Sequence, residues 1–113
     1  MNFAGDNSQS RVHFEVSIDG RRGCLALDGA LSMRTTDEVS RALLALRHRG
    51  VTELELDLHG LTRLDSAGVA LLLRLQHRAS EEGWTVTIIA PPEHLRHQIA
   101  RLGLAERLRF ALI

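Results

Sequence analysis

The chain contains no lysine and no tyrosine. All 14 of its basic residues are arginine, they are matched by 14 acidic residues, and the formal net charge is zero. That balance excludes the broad basic field that draws a protein to nucleic acid or to acidic lipid. Arginine suits carboxylate and phosphate recognition, but the arginines form no visible cluster. Cysteine is limited to Cys24, which rules out an internal disulfide and points to a reducing compartment. No hydrophobic run reaches membrane-spanning length, and the first residues lack the apolar core of a signal peptide. A cytoplasmic protein without membrane insertion is expected.

What is present is ordinary for a globular domain: 113 residues, 44% hydrophobic and 25% charged. A single domain of this length can bury roughly two thirds of its unfolded surface. Residues 1–11 are polar and without periodicity, and are read as a flexible lead to a domain over 12–113. Val12, Phe14, Val16 and Ile18 alternate on one face of a first strand. Asp19-Gly20 signals a turn, and Cys24 to Leu27 gives a second strand, antiparallel to the first. Asp28-Gly29 ends that strand, and Ala30 to Arg34 is read as a loop.

Thr35 and Glu38 fit a capping box. Val39, Ala42, Leu43 and Leu46 then repeat at helical spacing as far as Gly50. Pro91-Pro92 opens a later helix in which Leu95, Ile99 and Leu102 share a face, and Gly103 stops it. Between these helices, Thr85 to Ala90 is β-branched and apolar, which is a strand. Residues 108–112 fit either a short last strand or a turn of helix.

The chain is organised around Glu53 to Leu75. Leu54, Leu56 and Leu58 alternate with Glu53, Glu55 and Asp57 in a strand with one apolar face. Gly60 breaks the pattern, and Leu61 to Leu64 is read as a short connection. From Ala67 to Leu75 the residues are apolar almost all round, as in a deeply buried helix, which continues to about Glu82 and is ended by Gly83. Ser66 is read as its N-cap. Gly68, in the first turn, admits two explanations: room for a partner, or close packing of the helix start.

Asp57-Leu58, Leu61 and Leu64-Asp65-Ser66-Ala67-Gly68-Val69 resemble the signature of the STAS domain, D-L-S-x-V-x-x-I-D-S-S-G-L, the fold of bacterial anti-sigma factor antagonists. The similarity runs from about Val12 to Phe110. It implies an α/β fold, a STAS-like single domain. Its mixed β-sheet would have about four strands, with a short fifth left open, and three or more helices chiefly on one face. The resemblance also implies that Ser66 is the residue a partner kinase phosphorylates. The partner would be an anti-sigma factor that is also a serine kinase, meeting Asp65, Ser66, Ala67 and Gly68 together with the loop Ala30, Leu31 and Ser32. In that loop the family commonly reads G-E-L-D; here Ala30 and Ser32 stand at the acidic positions. The run from Arg63 to Leu73 is also similar to the STAS component of phospholipid-transport ABC systems, V-D-T-G-G-L-A-L-L-L. There the helix start docks on an ATPase subunit without being phosphorylated.

Catalysis is not expected. Strand, turn, serine and helix suggest a nucleophile elbow, G-x-S-x-G, and Gly68 fits its last glycine, but Leu64 stands in place of the first. His59 lies nearby in sequence with no evident residue to orient it. His94 and His97 can share a helix face, yet nothing completes a metal-ligand set, so neither metal nor cofactor is expected. Cys24 is read as a small buried hydrophobe and Trp84 as a lid on the core's edge. Arg96, Arg101, Arg107 and Arg109 are read as a solvated face with Glu93 and Glu106.

Overall fold

A computed structural model describes residues 11–103. Residues 1–10 and the 108–112 segment of the sequence reading lie outside the described residues, as do Glu106, Arg107 and Arg109. The described elements are β1 (Val12–Asp19), β2 (Arg22–Leu31), α1 (Thr36–His48), β3 (Glu53–Leu64), α2 (Ser66–Glu82), β4 (Thr85–Ile89) and α3 (Glu93–Arg101). The strands form one sheet in the order β1-β2-β3-β4. β1 and β2 are an antiparallel hairpin, and β2–β3 and β3–β4 are parallel, each joined through a helix. This is the expected mixed α/β sheet.

Alternation explains the two faces. Leu54, Leu56 and Leu58 of β3 are buried with Leu25 and Leu27 of β2. Val39, Leu43 and Leu46 of α1, Val69, Leu72 and Leu75 of α2, and Leu95 and Ile99 of α3 complete one core with them. Glu53, Glu55 and His59 point to the opposite, solvated face.

Two strands run longer than their sequence pattern indicates. β3 continues through Leu61–Leu64, and β2 continues through Ala30 and Leu31. The β2–β3 register shifts between Ala26 and Asp28 and again between Gly29 and Ala30. Each shift inserts a residue into β3, so its buried positions move from Leu54, Leu56 and Leu58 to Leu61 and Leu64. At the first shift the His59 N–H donates to Asp57 Oδ1 at 3.0 Å. At the second the Thr62 hydroxyl donates to the Gly29 carbonyl at 2.9 Å. The break at Gly60 is therefore a bulge and not the end of the strand.

Two local expectations are corrected at the helices. Thr35 precedes α1 but makes no side-chain cap bond; its buried hydroxyl accepts from the Ser32 N–H at 2.9 Å and donates to the Ala30 carbonyl at 2.8 Å. Leu102 lies past the end of α3 and is 51% exposed, so only Leu95 and Ile99 of the expected trio face the core. Trp84 is buried as expected, with the Arg47 guanidinium 4.7 Å from its ring centroid.

Candidate functional site

The Ser66 end of the molecule is built where β2 and β3 leave the sheet. Ala30 and Leu31 are 1% and 0% exposed, as the last residues of β2. Their side chains belong to the core, which corrects their assignment to a surface loop that meets a partner. The surface begins at Ser32, which is half-buried, and at Met33, which is 76% exposed. Met33 was missed by sequence reasoning. The available signal was a large apolar residue between Ser32 and Arg34, inside the loop read over Ala30 to Arg34.

Asp65, and not Ser66, caps α2. Its Oδ1 accepts from the Gly68 N–H at 2.9 Å and its Oδ2 accepts from the Met33 N–H at 3.0 Å. One carboxylate thus ties the start of α2 to the loop after β2. Partial burial opposes ionisation of Asp65, but hydrogen bonds from the Gly68, Met33 and Ala67 amides, with the Arg63 charge, outweigh it and hold the carboxyl below its ordinary pKa. Ser66 becomes the first residue of α2 and is exposed. Its hydroxyl has no protein partner among the described residues. Ala67 is half-buried beside it, while Gly68 is buried.

Gly68 is resolved in favour of packing. A Cβ there would stand 2.4 Å from the Leu31 carbonyl oxygen and 2.8 Å from Leu64 Cδ1. The glycine lets α2 begin against the end of β2. Gly68 is thus buried by Leu31 and Leu64, and the open surface expected at that position lies instead at Ser66 and Ala67.

The same end of β3 is held from its other side by α3. β4 pairs with β3 only through Asp57. Beyond it, His94 Nε2 lies 3.2 Å from the Thr62 carbonyl, and the Gln98 side-chain amide donates to the Leu64 carbonyl. These side chains meet strand carbonyls that no fifth strand reaches among the described residues.

The other singled-out residues lie elsewhere. Asp57 does orient His59, with its Oδ1 2.9 Å from Nδ1, which corrects the expectation that nothing does so. The hydrogen bond and charge of Asp57, joined by Asp28, raise the His59 pKa. Five residues of strand, about 16 Å at roughly 3.3 Å each, lie between His59 and the end of β3. The imidazole is therefore out of reach of Ser66. Cys24 is half-buried on the open face and not in the core; burial, with Asp57 and Glu55, raises its thiol pKa. His97 pairs with Glu93 at 3.8 Å, apart from His94. No group of potential metal ligands occurs among the described residues, and no helix among them is long and apolar enough to cross a membrane.

A family model described as "Mlab, STAS domain" matches residues 14–113. Among solved structures, the chain is similar to the anti-sigma factor antagonist SpoIIAA in its unphosphorylated form, at 18% identity and a TM-score of 0.71, covering 88% of this chain and 89% of that one. The phosphorylated form of SpoIIAA, a Bacillus cell fate determinant, matches at 19% identity and a TM-score of 0.66, covering 88% and 92%. An anti-sigma factor antagonist from Mycobacterium paratuberculosis matches at 18% identity and a TM-score of 0.73, covering 91% and 87%.

Proposed function

The chain belongs to the STAS domain family, and from that premise we propose that it is a non-catalytic switch of the anti-sigma factor antagonist type, controlled by phosphorylation of Ser66. The observation that carries this reading is the division of labour at the start of α2. Asp65 performs the capping, which leaves the Ser66 hydroxyl exposed and unpaired among the described residues. A serine needed only as a cap would be turned inward on the helix amides.

Unphosphorylated, the protein binds an anti-sigma factor that is also a serine kinase, in the cytoplasm, through a face made of Ser32, Met33, Asp65, Ser66 and Ala67. In the complex, Ser66 Oγ attacks the γ-phosphorus of ATP held by the kinase; the bond to ADP breaks and the hydroxyl proton passes to a base of the kinase. The product adds roughly −1.5 to −2 charges. The first-turn amides offer it little relief, because the Asp65 carboxylate already engages those of Gly68 and Ala67. Phosphate and carboxylate then share one docked surface. Excluding water from that pair costs several kcal/mol, which is about hundreds-fold in affinity. The complex separates. The domain acts as one unit over 12–113 and supplies no cofactor to the transfer.

A second reading is favoured by the composition of the same face. Ala30 and Ser32 stand where the family commonly has acidic residues, so Asp65 is the only carboxylate among the residues named for that face, and the exposed Met33 adds an apolar contact beside it. Such a face suits constitutive docking on the ATPase subunit of a phospholipid-transport ABC system. Calorimetric affinity for the adjacently encoded kinase or ATPase, measured with wild type, Ser66→Ala and Ser66→Asp, tests the switch. Ser66→Ala is expected to bind as wild type does and Ser66→Asp more weakly; equal binding by all three refutes control at Ser66. Incubation of wild type with partner and ATP then separates the readings, since phosphate on Ser66 supports the antagonist and unmodified Ser66 supports the ABC subunit.

A further inference from the structure

β1 is an outer strand of the sheet, and among the described residues no strand pairs with its far side. Its inward hydrogen bonds can be placed by phase. The Arg11 carbonyl accepts from the Ala30 N–H at 2.8 Å, and the hairpin closes on the Asp19–Arg22 pair. Odd-numbered residues therefore turn their backbone groups toward β2, and Val12, Phe14, Val16 and Ile18 turn theirs outward. The side chains of these same residues lie on the helix-covered face, opposite Gly29, Leu27, Leu25 and Gly23. Phe14 and Val16 nevertheless remain 38% and 47% exposed. β1 has no proline and no register shift, two of the devices that blunt an open edge, and its charged residues, Glu15 and Asp19, lie on the open face.

We infer that the β1 edge docks a second copy of this chain, strand to strand and antiparallel, about a two-fold axis at Val16. Avoidance of like charges, with a hydrogen-bonding His–Asp pair in their place, selects that register. It sets His13 opposite Asp19 and Glu15 opposite Ser17 on the open face, and Val16 opposite Val16 and Phe14 opposite Ile18 on the apolar face. A two-fold at Glu15 would place that carboxylate against itself, and one at Ser17 would place Glu15 against Asp19. One at Phe14 would leave Ile18 and Asp19 without partners among the described residues. Registers out of step by one residue would put apolar side chains against polar ones. The pairing extends the sheet from one copy into the next. Val12 lies beside Gly29 near the Ser66 end, so the antiparallel arrangement sends the two Ser66 ends in opposite directions and leaves both open. The contact thus stands independently of the switch. A pairing of one eight-residue edge with another is short beside the roughly 1,200–2,000 Å² of a standard interface, so the two copies are expected to exchange with single chains.

Sedimentation equilibrium of the full chain tests this. The mass of the wild type should rise from 12.6 kDa toward twice that value as concentration approaches about 100 µM. Val16→Pro removes an outward N–H without breaking a bond to β2, and Val16→Lys adds a charge to the edge; both should stay monomeric with unchanged circular dichroism. As a check that does not depend on those variants folding, His13→Cys and Asp19→Cys chains in a Cys24→Ala background should form a mixed disulfide on oxidation, since that pair is directly opposed at a distance a disulfide can span. A wild type that remains monomeric, a dimer that survives in both folded Val16 variants, or the absence of the mixed disulfide overturns the proposal.

Discussion

Replacing Gly68 by alanine sets a gain in helix propensity against a collision with the sheet. The gain is about 1 kcal/mol, because glycine is the costlier residue within a helix. Against it, the new Cβ would lie 2.4 Å from the Leu31 carbonyl oxygen and 2.8 Å from Leu64 Cδ1. The leucine methyl can move; the carbonyl belongs to β2 and cannot turn without disturbing the sheet. The start of α2 must therefore retreat, at a strain of roughly 1–3 kcal/mol. The retreat also draws the Gly68 N–H away from Asp65 Oδ1, a capping bond worth about 1 kcal/mol. The balance is a net loss of about 1–3 kcal/mol. For a domain of this size that lowers the melting temperature by about 4–8 °C per kcal/mol. Thermal melts followed by circular dichroism, with urea titrations to compare midpoints, measure it. An alanine variant that melts at or above the wild type would refute the packing account; if it then bound its partner poorly, the glycine would instead be keeping space for that partner.

Leu72→Ala, in the buried centre of α2, should cost about 2–5 kcal/mol in a urea titration; a loss near zero would remove Leu72 from the core. Asp65 has a lowered folded-state pKa, so its contribution to stability is present above the unfolded value and is lost as pH falls through the folded one. Asp65→Asn should flatten that acid limb of a stability–pH curve, and an unchanged limb would contradict the amide contacts. His59 has a raised pKa, so its contribution is present below the unfolded value and is lost as pH rises through the folded one. In Asp57→Asn, NMR titration of His59 should shift to lower pH, and an unmoved titration would dissolve the pair. Met33→Ala should weaken partner binding by about 1–2 kcal/mol with no change in melting temperature; undiminished affinity would exclude Met33 from the contact.

Much of the fold was legible because alternation and helical spacing are strong where one face is buried. The hairpin, the parallel β3-α2-β4 unit and the buried face of α2 follow from Leu54, Leu56 and Leu58, and from the run after Ala67. The upper halves of β2 and β3 were not legible. The register shifts of the pair reset the burial phase, and a period-two pattern that changes phase is indistinguishable in one dimension from a strand that ends. The bulge at Gly60 therefore concealed Leu61–Leu64, and the extension of β2 that accompanies it took Ala30 and Leu31 from loop into core. Thr35 shows the same limit on a smaller scale: its spacing to Glu38 fits a capping box, but its hydroxyl is claimed by Ser32 and Ala30, across the turn before the helix.

The exchange of duties between Asp65 and Ser66 was beyond local reasoning for a related cause. Either residue type caps a helix well, and neighbours in sequence compete for the same amides. The contest is decided by Met33, more than a helix away along the chain, whose N–H needs an acceptor as the backbone leaves β2. Asp65 can accept from Met33 with one oxygen and from Gly68 with the other, whereas a serine hydroxyl at that position has only one oxygen to offer. Satisfying two backbone groups at once, the carboxylate takes the cap and frees the hydroxyl. The same choice prepares the electrostatics of the proposed switch. A phosphate on Ser66 would arrive where the Ala67 and Gly68 amides are already engaged by Asp65 and a fixed negative charge is already present. On the proposed switch, the residue that holds the site in shape would thereby make the modified form costly to dock.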